Sequence, residues 1–247
     1  VWYAQEAPDW AVEPTFEVIG PNQTSEGNLD LDYSDAVTLA GASAINGHIS
    51  ITAESLIITD LVRASGTDTD DQTSANVTIT TSTGDITFQD NGRAESELGD
   101  ITIDSAGKLI ISNVADTVSA TATSGTLTID ATEVGPLSTH VTTIDIESTA
   151  NAAISIDETD GLIIENIQTS AADGITINAN GEVTQTNEII AEKLKITNDG
   201  GAVTLTDSDN AVNSFEIINT DTGSTGTNNV AFTNTVAADI TSGGITG

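Results

Sequence analysis

A short repeating unit constrains the fold of this chain more than any other feature. From residue 28 onward, a turn rich in Gly, Asp or Asn is followed by four or five residues that alternate Ile, Val or Leu with Thr or Ser. The clearest units are residues 47–51, 84–88, 99–103, 125–129, 174–177 and 201–205. Alternation with a period of two is typical of a strand with one buried face, and glycine supplies turn conformations that other residues resist. The pattern predicts short strands with aliphatic side chains inward and hydroxyls outward.

Apolar stretches of a second kind lie between these units. Three of them read Leu-Ile-Ile and begin at Leu56, Leu109 and Leu162. Together the motifs recur with a loose period of about 20 residues, which fits one solenoid coil of two or three strands. Insertions in a solenoid fall in loops outside the coil, so irregular spacing is compatible with this fold. We expect about ten coils and a rod of about 50 Å.

These patterns predict an all-β fold, an elongated β-solenoid of the right-handed parallel β-helix type. The alternative is a pair of tandem immunoglobulin-like β-sandwiches, which also show short alternating strands between turns. Sandwich domains usually have a core aromatic residue, yet after residue 33 the chain offers only Phe88, Phe215 and Phe232. Ladders of Ile, Val and Leu favour stacked coils. Residues 187–195 contain good helix formers, but they run straight into strand-type alternation and we interpret them as a strand.

The charge balance excludes several classes of partner. The chain has 5 basic and 38 acidic residues and a formal net charge of −33. Nucleic-acid binding depends on clustered Lys and Arg, so nucleic acid is not an expected partner. We also expect no membrane span, because no run of about 18 apolar residues occurs. The acidity suits a chain that must stay soluble while exposing strands, or one that meets divalent cations or high salt.

Two missing residue types bear on the origin of the chain. It contains no cysteine, so it has neither disulfides nor thiol chemistry. It contains no methionine, even at position 1. We therefore expect a processed mature chain or an excised fragment, with a cleaved export signal as one simple explanation. The expected location is extracellular, at the cell surface or secreted.

Residues 1–27 differ in composition from the solenoid repeats predicted for residues 28–247. The first segment holds Trp2, Tyr3, Trp10 and Phe16, half of the eight aromatic residues, and three of the four prolines. Prolines favour an extended path, and the aromatic side chains supply apolar surface that something must cover. We predict that these four residues form an interface. The segment is either a cap over the end of its own core or an arm that docks on another subunit.

Residues 201–212 (GAVTLTDSDNAV) and 229–234 (NVAFTN) resemble the repeats of filamentous-haemagglutinin-like bacterial surface proteins. Residues 174–181 (GITINANG) are similar to them. The resemblance implies long right-handed parallel β-helices that project from cells and mediate adhesion or matrix building. The amino-terminal secretion domain of that family is not identifiable in residues 1–35. The chain is also far shorter than the giant adhesins, which leaves open a small subunit that gains length by polymerising.

The residues that usually carry catalysis are scarce. The two histidines, His48 and His140, are 92 positions apart, and neither lies in a recognisable motif. The nucleophile-elbow, zinc-protease and phosphate-loop patterns are missing. We expect no enzymatic activity and no cofactor other than calcium. A polysaccharide-cleaving β-helix enzyme with paired carboxylates stays as an alternative, although the repeats hold few aromatic and basic groups to surround a sugar.

Calcium is the one metal that the sequence suggests, because hard cations prefer several oxygen ligands. Candidate ligands are Asp68, Asp70, Asp71, Asp207 and Asp209, and a further acidic cluster lies within residues 30–35. The spacing at residues 68–71 resembles the start of a calcium loop but lacks the glycine and distal glutamate of an EF-hand. A solvated acidic turn is the competing interpretation of each cluster.

From these observations we expect an extracellular structural or adhesive surface protein that extends from or links cells. Its partners would be further copies of itself, a longer adhesin stalk, or a cell-surface or glycan ligand. The alternative is a filament subunit that polymerises head to tail through its N-terminal arm.

Overall fold

The structure is a computed structural model, and it describes residues 16–18, 27–67, 74–113, 119–220 and 229–246. The first eleven strands are β1 (Phe16–Val18), β2 (Leu29–Asp32), β3 (Val37–Leu39), β4 (Ala42–Ile45), β5 (Ile49–Ala53), β6 (Leu56–Ile58), β7 (Leu61–Ser65), β8 (Val77–Thr81), β9 (Ile86–Asp90), β10 (Arg93–Ser96) and β11 (Ile101–Asn113). The other eleven are β12 (Ala120–Val134), β13 (Leu137–Ser148), β14 (Ile154–Glu158), β15 (Leu162–Gln168), β16 (Ile175–Ala179), β17 (Val183–Gln185), β18 (Ile189–Asn198), β19 (Val203–Leu205), β20 (Ala211–Asn219), β21 (Val230–Phe232) and β22 (Asp239–Thr246). The described part of the chain contains no helix.

The strands stack as a parallel β-solenoid of about nine turns. All pairings between the named strands are parallel, and one isolated antiparallel bridge joins Thr67 to Ser74. This confirms the predicted all-β solenoid and rules out tandem immunoglobulin-like sandwiches, whose sheets are antiparallel. Nine turns at a strand spacing of about 4.8 Å give a rod of about 43 Å, slightly shorter than expected.

The lower coils are built from three sheets. The first sheet stacks β2, β5, β8, the start of β11 and the second halves of β12 and β13. The second stacks β1, β3, β6, β9 and the end of β11. The third stacks β4, β7, β10 and the starts of β12 and β13. Each coil therefore contributes one short strand to each sheet.

The upper coils are arranged differently. One sheet stacks β14, β16, the second halves of β18 and β20, and β22 above the start of β13. A second stacks β17, β19 and β21 above the start of β15. A narrow third column joins the ends of β13 and β15 to the starts of β18 and β20. The strand predicted at residues 187–195 is confirmed from residue 189 onward, as the first part of β18.

The core is a set of aliphatic columns that run along the rod. Ile51, Ile79, Ile103, Ile129 and Ile146 are partners in successive coils, and all are buried. Full burial of such a side chain contributes about 1.5–3 kcal/mol. The outward positions between the core residues carry Thr, Ser and acidic residues, as the alternation predicts. Because every coil repeats this arrangement, one continuous core passes through the molecule.

Glycine precedes the inward-facing strand residues at points where neighbouring coils approach closely. A Cβ atom on Gly47 would lie 2.3 Å from backbone atoms of Gly27 in the coil below. On Gly125 it would lie 2.1 Å from the carbonyl oxygen of Gly99, and on Gly99 it would lie 2.1 Å from the side chain of Asn76. Real Cβ atoms do not come this close, so the glycines of the repeating unit are required by coil stacking.

The residue after this glycine position links each coil to the next. The side chains of Asn28, His48, Asn76 and Asp100 each accept a hydrogen bond from the backbone N–H at the equivalent position one coil further on. Donor–acceptor distances are 2.7 to 2.9 Å, and the last donor is Thr126. In the Gly-Asp and Gly-His pairs of the repeat, the glycine therefore allows two coils to approach closely, and the residue after it makes a hydrogen bond between them.

The repeat length varies widely from coil to coil. Leu127 lies beneath Ile144, 17 residues later, whereas Val62 lies beneath Ala94, 32 residues later. The additional residues leave the strands aligned, as expected for insertions in solenoid loops. Within the described residues, no helix has the length and apolar character needed to cross a membrane.

Candidate functional site

The predicted calcium ligands are only partly within the described residues. Asp68, Asp70 and Asp71 lie outside them. At the other cluster, Asp207 accepts a hydrogen bond from the backbone N–H of Asp209 at 2.7 Å, which closes a local turn. No group of three or more His, Asp or Glu side chains suited to a metal ion occurs in the described ranges. Calcium binding at residues 68–71, and at Asp207 and Asp209, stays a prediction.

The predicted interface residues fall mostly outside the described chain as well. Trp2, Tyr3 and Trp10 are not among the described residues. The backbone of Phe16 belongs to β1, which pairs in parallel with β3 of the same chain. The described end of the N-terminal segment thus extends the second sheet downward by one strand.

The two histidines do not form a common site. His48 lies in the turn before β5, where its Nδ1 accepts the backbone N–H of Asn76 at 2.9 Å. His140 lies in β13, which is four strands above β5 in the stack. The Nε2 atom of His140 is 3.4 Å from a carboxylate oxygen of Asp160. Four steps correspond to about 19 Å along the rod. In these contacts each imidazole interacts with a neighbouring coil, His48 with a backbone N–H and His140 with a carboxylate.

Among the described residues, Glu158 is the one buried carboxylic acid, and sequence reasoning missed it. It is 1% exposed, at the end of β14, where the three-sheet arrangement of the lower coils gives way to that of the upper coils. Both carboxylate oxygens lie 3.3 Å from the backbone N–H of Val141, and one also accepts from Thr159 at 2.9 Å and Asp160 at 3.4 Å. The carboxylate of Glu158 thus accepts the N–H of Val141 in β13, at a position with which β14 does not pair.

The surroundings of Glu158 raise the pKa of its carboxyl group. Burial is the main cause, because it disfavours the charged form. Thr139 is the residue paired with Glu158 on β13, and its hydroxyl lowers the pKa of the carboxyl group. The contact between the two groups does not reach the geometry of a full hydrogen bond. The N–H groups of Asp160 and Val141 also lower it, and the charge of Asp160 raises it. No sequence motif marks this residue, since its burial depends on how the coils change shape.

A shallow groove of about 540 Å³ follows the rod axis in the upper coils. It crosses successive strands because Glu147, Gln168, Ile190 and Ala211 are partners from coil to coil. Its lining includes the polar residues Glu147, Thr149, Gln168, Ser170, Glu192 and Asn213. Asn213 donates to Glu192 at 2.8 Å, which orders one wall. This concave polar surface can make hydrogen bonds to an extended ligand.

The last described coil leaves apolar core positions open at the upper end of the rod. Ile240, the partner of Phe215 on the strand below, is 62% exposed. Val230 and Phe232 are only partly buried, although their partners Val203 and Leu205 are fully buried. In the last described coil these positions are thus less covered than their partners in the coil below.

Comparisons with known proteins leave the family open. No protein-family model, no curated protein and no solved structure matches the chain. The solenoid fold agrees with the resemblance to filamentous-haemagglutinin-like repeats at the level of architecture.

Proposed function

We propose that this chain is an extracellular structural or adhesive surface protein that extends from or links cells. The observation that supports the proposal best is the single continuous core, in which every coil packs only on its neighbours. Such a solenoid gains length by adding coils, and each added coil contributes its own interface to stability. The net charge of −33 keeps rods soluble and separate. These are the properties of a spacer or stalk.

The axial groove supports the adhesive part of the proposal. Its hydroxyl and amide side chains offer donors and acceptors that match the hydroxyl groups of a glycan. Its two glutamates, Glu147 and Glu192, favour a neutral or amino-bearing sugar over an acidic one. A chain-like ligand fits a groove that runs parallel to the rod.

Surface labelling of the cells that produce the protein tests the proposed location. Antibodies against the purified chain should label intact cells, and permeabilisation should add little signal. A cytosolic protein labelled in parallel controls for cell integrity. Labelling that appears only after permeabilisation would contradict the proposal.

A groove-filling variant tests adhesion. Ala211→Trp places a large side chain in the groove, whereas Ser50→Trp adds the same side chain on a lower strand away from it. We expect the fluorescently labelled protein to bind cells or immobilised glycans, and Ala211→Trp to reduce that binding while Ser50→Trp does not. Equal binding by both variants would remove the groove from the adhesive surface.

The composition of residues 1–27, which hold half of the aromatic residues and three of the four prolines, favours a second candidate function. This is a subunit of an extracellular filament that polymerises head to tail through its N-terminal arm. Both candidates give the protein a mechanical role, and they differ in whether the rod acts singly or end to end.

A further inference from the structure

Two adjacent residues of β13 contact the end of β14 and the turn after it. Thr139 is buried in the core beside the carboxyl group of Glu158, its partner on β14. His140 lies on the solvent-accessible side, where its Nε2 is 3.4 Å from a carboxylate oxygen of Asp160. Neighbouring side chains of a strand point to opposite faces, so one contact is inside the coil and the other is outside.

The buried contact takes over where the backbone ladder between β13 and β14 stops. These strands pair through three residues of each, and the last pair is Thr139 with Glu158. Beyond it, the N–H of Val141 is bonded by the carboxylate of Glu158. The hydroxyl of Thr139 is 0% exposed and has no hydrogen-bond partner of full geometry. A neutral Glu158 has an O–H to donate, and the adjacent hydroxyl oxygen can accept it.

An ionised Glu158 has no counter-charge beside it. The strand above, β16, carries no titratable side chain, and β13 offers only the outward-facing His140. Asp157 faces outward on β14, Glu182 is exposed in the turn above, and Asp160 adds a negative charge. Burial of a charge without a partner of opposite sign is costly. These surroundings favour the neutral acid.

The outer contact depends on a proton in the same direction. His140 carries a charge only when its imidazole is protonated, and it then attracts the carboxylate of Asp160. Histidine side chains take up protons in mildly acidic solution. The residue beneath His140 is Thr121, which is uncharged and does not oppose this attraction. Both contacts between the two coils are therefore stronger at low pH.

We infer that the Thr139–Glu158 and His140–Asp160 contacts form a joint between the lower and upper coils that closes in acid and loosens as the pH rises. In the closed joint, the neutral carboxyl group donates to the oxygen of Thr139 and accepts the N–H of Val141. Above the transition its proton passes to solvent, and the turn at residues 158–160 opens to hydrate the carboxylate. This inference goes beyond the proposed function and applies equally to a stalk and to a filament subunit.

The direction of the pH effect follows from the buried acid. Burial is the main cause that raises the pKa of Glu158, and the charge of Asp160 adds to it. The folded chain therefore holds this proton to higher pH than the unfolded chain. The stabilisation is complete below the ordinary glutamate value of 4.5 and is lost as the pH rises through the folded value.

Hydrogen exchange measured by mass spectrometry at pH 5 and pH 8 tests the joint in the unaltered chain. Protection factors are corrected for the intrinsic exchange rate at each pH, and peptides from residues 101–113 in the lower coils serve as the internal reference. We expect protection within residues 137–160 to fall by about tenfold or more between pH 5 and pH 8. Protection of the reference peptides should change little.

Three variants assign the effect to its residues. Glu158→Gln keeps a donor and an acceptor without a charge, so protection should stay high at both pH values. Glu165→Gln, at an exposed position of the next strand, is the matched control and should show the same fall as the unaltered chain. His140→Gln removes only the outer contact and should make the fall smaller without abolishing it.

Equal protection at the two pH values in the unaltered chain would overturn the inference. An undiminished fall in Glu158→Gln, or a fall that His140→Gln abolishes, would also overturn it, because Glu158 would then contribute nothing. If Glu158→Gln does not fold, carbon-13 NMR of the unaltered chain with labelled glutamate carboxyl groups replaces it. One carboxyl resonance should titrate above 4.5, together with the loss of protection, whereas titration of all glutamates at or below 4.5 would contradict the joint.

Discussion

Glu158 and the glycine turns show how single residues adapt a repetitive chain. A carboxylic acid lies in the core where the coil changes shape, and its side chain accepts the backbone N–H groups of Val141 and Thr159. The aliphatic residues could be assigned to the core from alternation alone. Glu158 could not, because its position in the pattern is that of an ordinary polar residue and only the neighbouring coils bury it.

The raised pKa of Glu158 gives stability a pH dependence. The folded chain holds this proton to higher pH than the unfolded chain, so the contribution to stability is complete below the ordinary glutamate pKa of 4.5 and is lost as pH rises through the folded value. Glu158→Gln keeps an acceptor oxygen without a charge. We expect it to raise the free energy of unfolding at pH 8, with a smaller gain at pH 5.

Urea unfolding at both pH values measures this effect. The exposed residue Glu165 provides the control, and Glu165→Gln should change stability little at either pH. A Glu158→Gln variant that is less stable than the parent chain at pH 8 would show that the folded protein favours the carboxylate.

Each strand with its turn is the element that the sequence encodes most clearly. The Gly-Asp-Ile pattern identified the strands and turns, and the structure adds that glycine and the next residue also connect neighbouring coils. The order in which strands pair was beyond sequence reasoning, because coil lengths of 17 to 32 residues mask the repeat. The change from three sheets to a narrower upper arrangement was missed for the same reason.

Coil stacking predicts a cost for adding a methyl group at Gly125. Its Cβ would lie 2.1 Å from a backbone oxygen that cannot move without shifting the coil below. We expect Gly125→Ala to lower the free energy of unfolding by about 1–3 kcal/mol. Ser124→Ala, at the exposed position of β12 just before it, is the control and should have little effect. Equal unfolding midpoints in urea would contradict the close approach of the coils.

The described part of the molecule is an acidic rod with one continuous aliphatic core. Composition predicted the acidity, and alternation predicted the solenoid. The groove could not be predicted in this way, because residues from four strands meet there. The proposed function rests on these properties of the assembled rod and not on any single motif.

Calcium is expected to act on the molecule through residues 68–71. If they bind the ion, millimolar calcium should raise the unfolding temperature more than sodium at matched ionic strength, because specific binding adds to screening. The paired change Asp70→Asn with Asp71→Asn should reduce the additional shift. Asp173→Asn, at an exposed turn outside the candidate clusters, should retain it. Equal shifts from both salts would leave only charge screening.

Cryo-electron microscopy of material released from the surface of producing cells tests the central claim most directly. A stack of parallel coils predicts rods whose averaged images show an axial repeat of about 4.8 Å, with the strands perpendicular to the rod. Antibody labelling should identify the chain along these rods. Compact labelled particles without an axial repeat, or a labelled protein found only inside the cells, would contradict an extracellular structural solenoid.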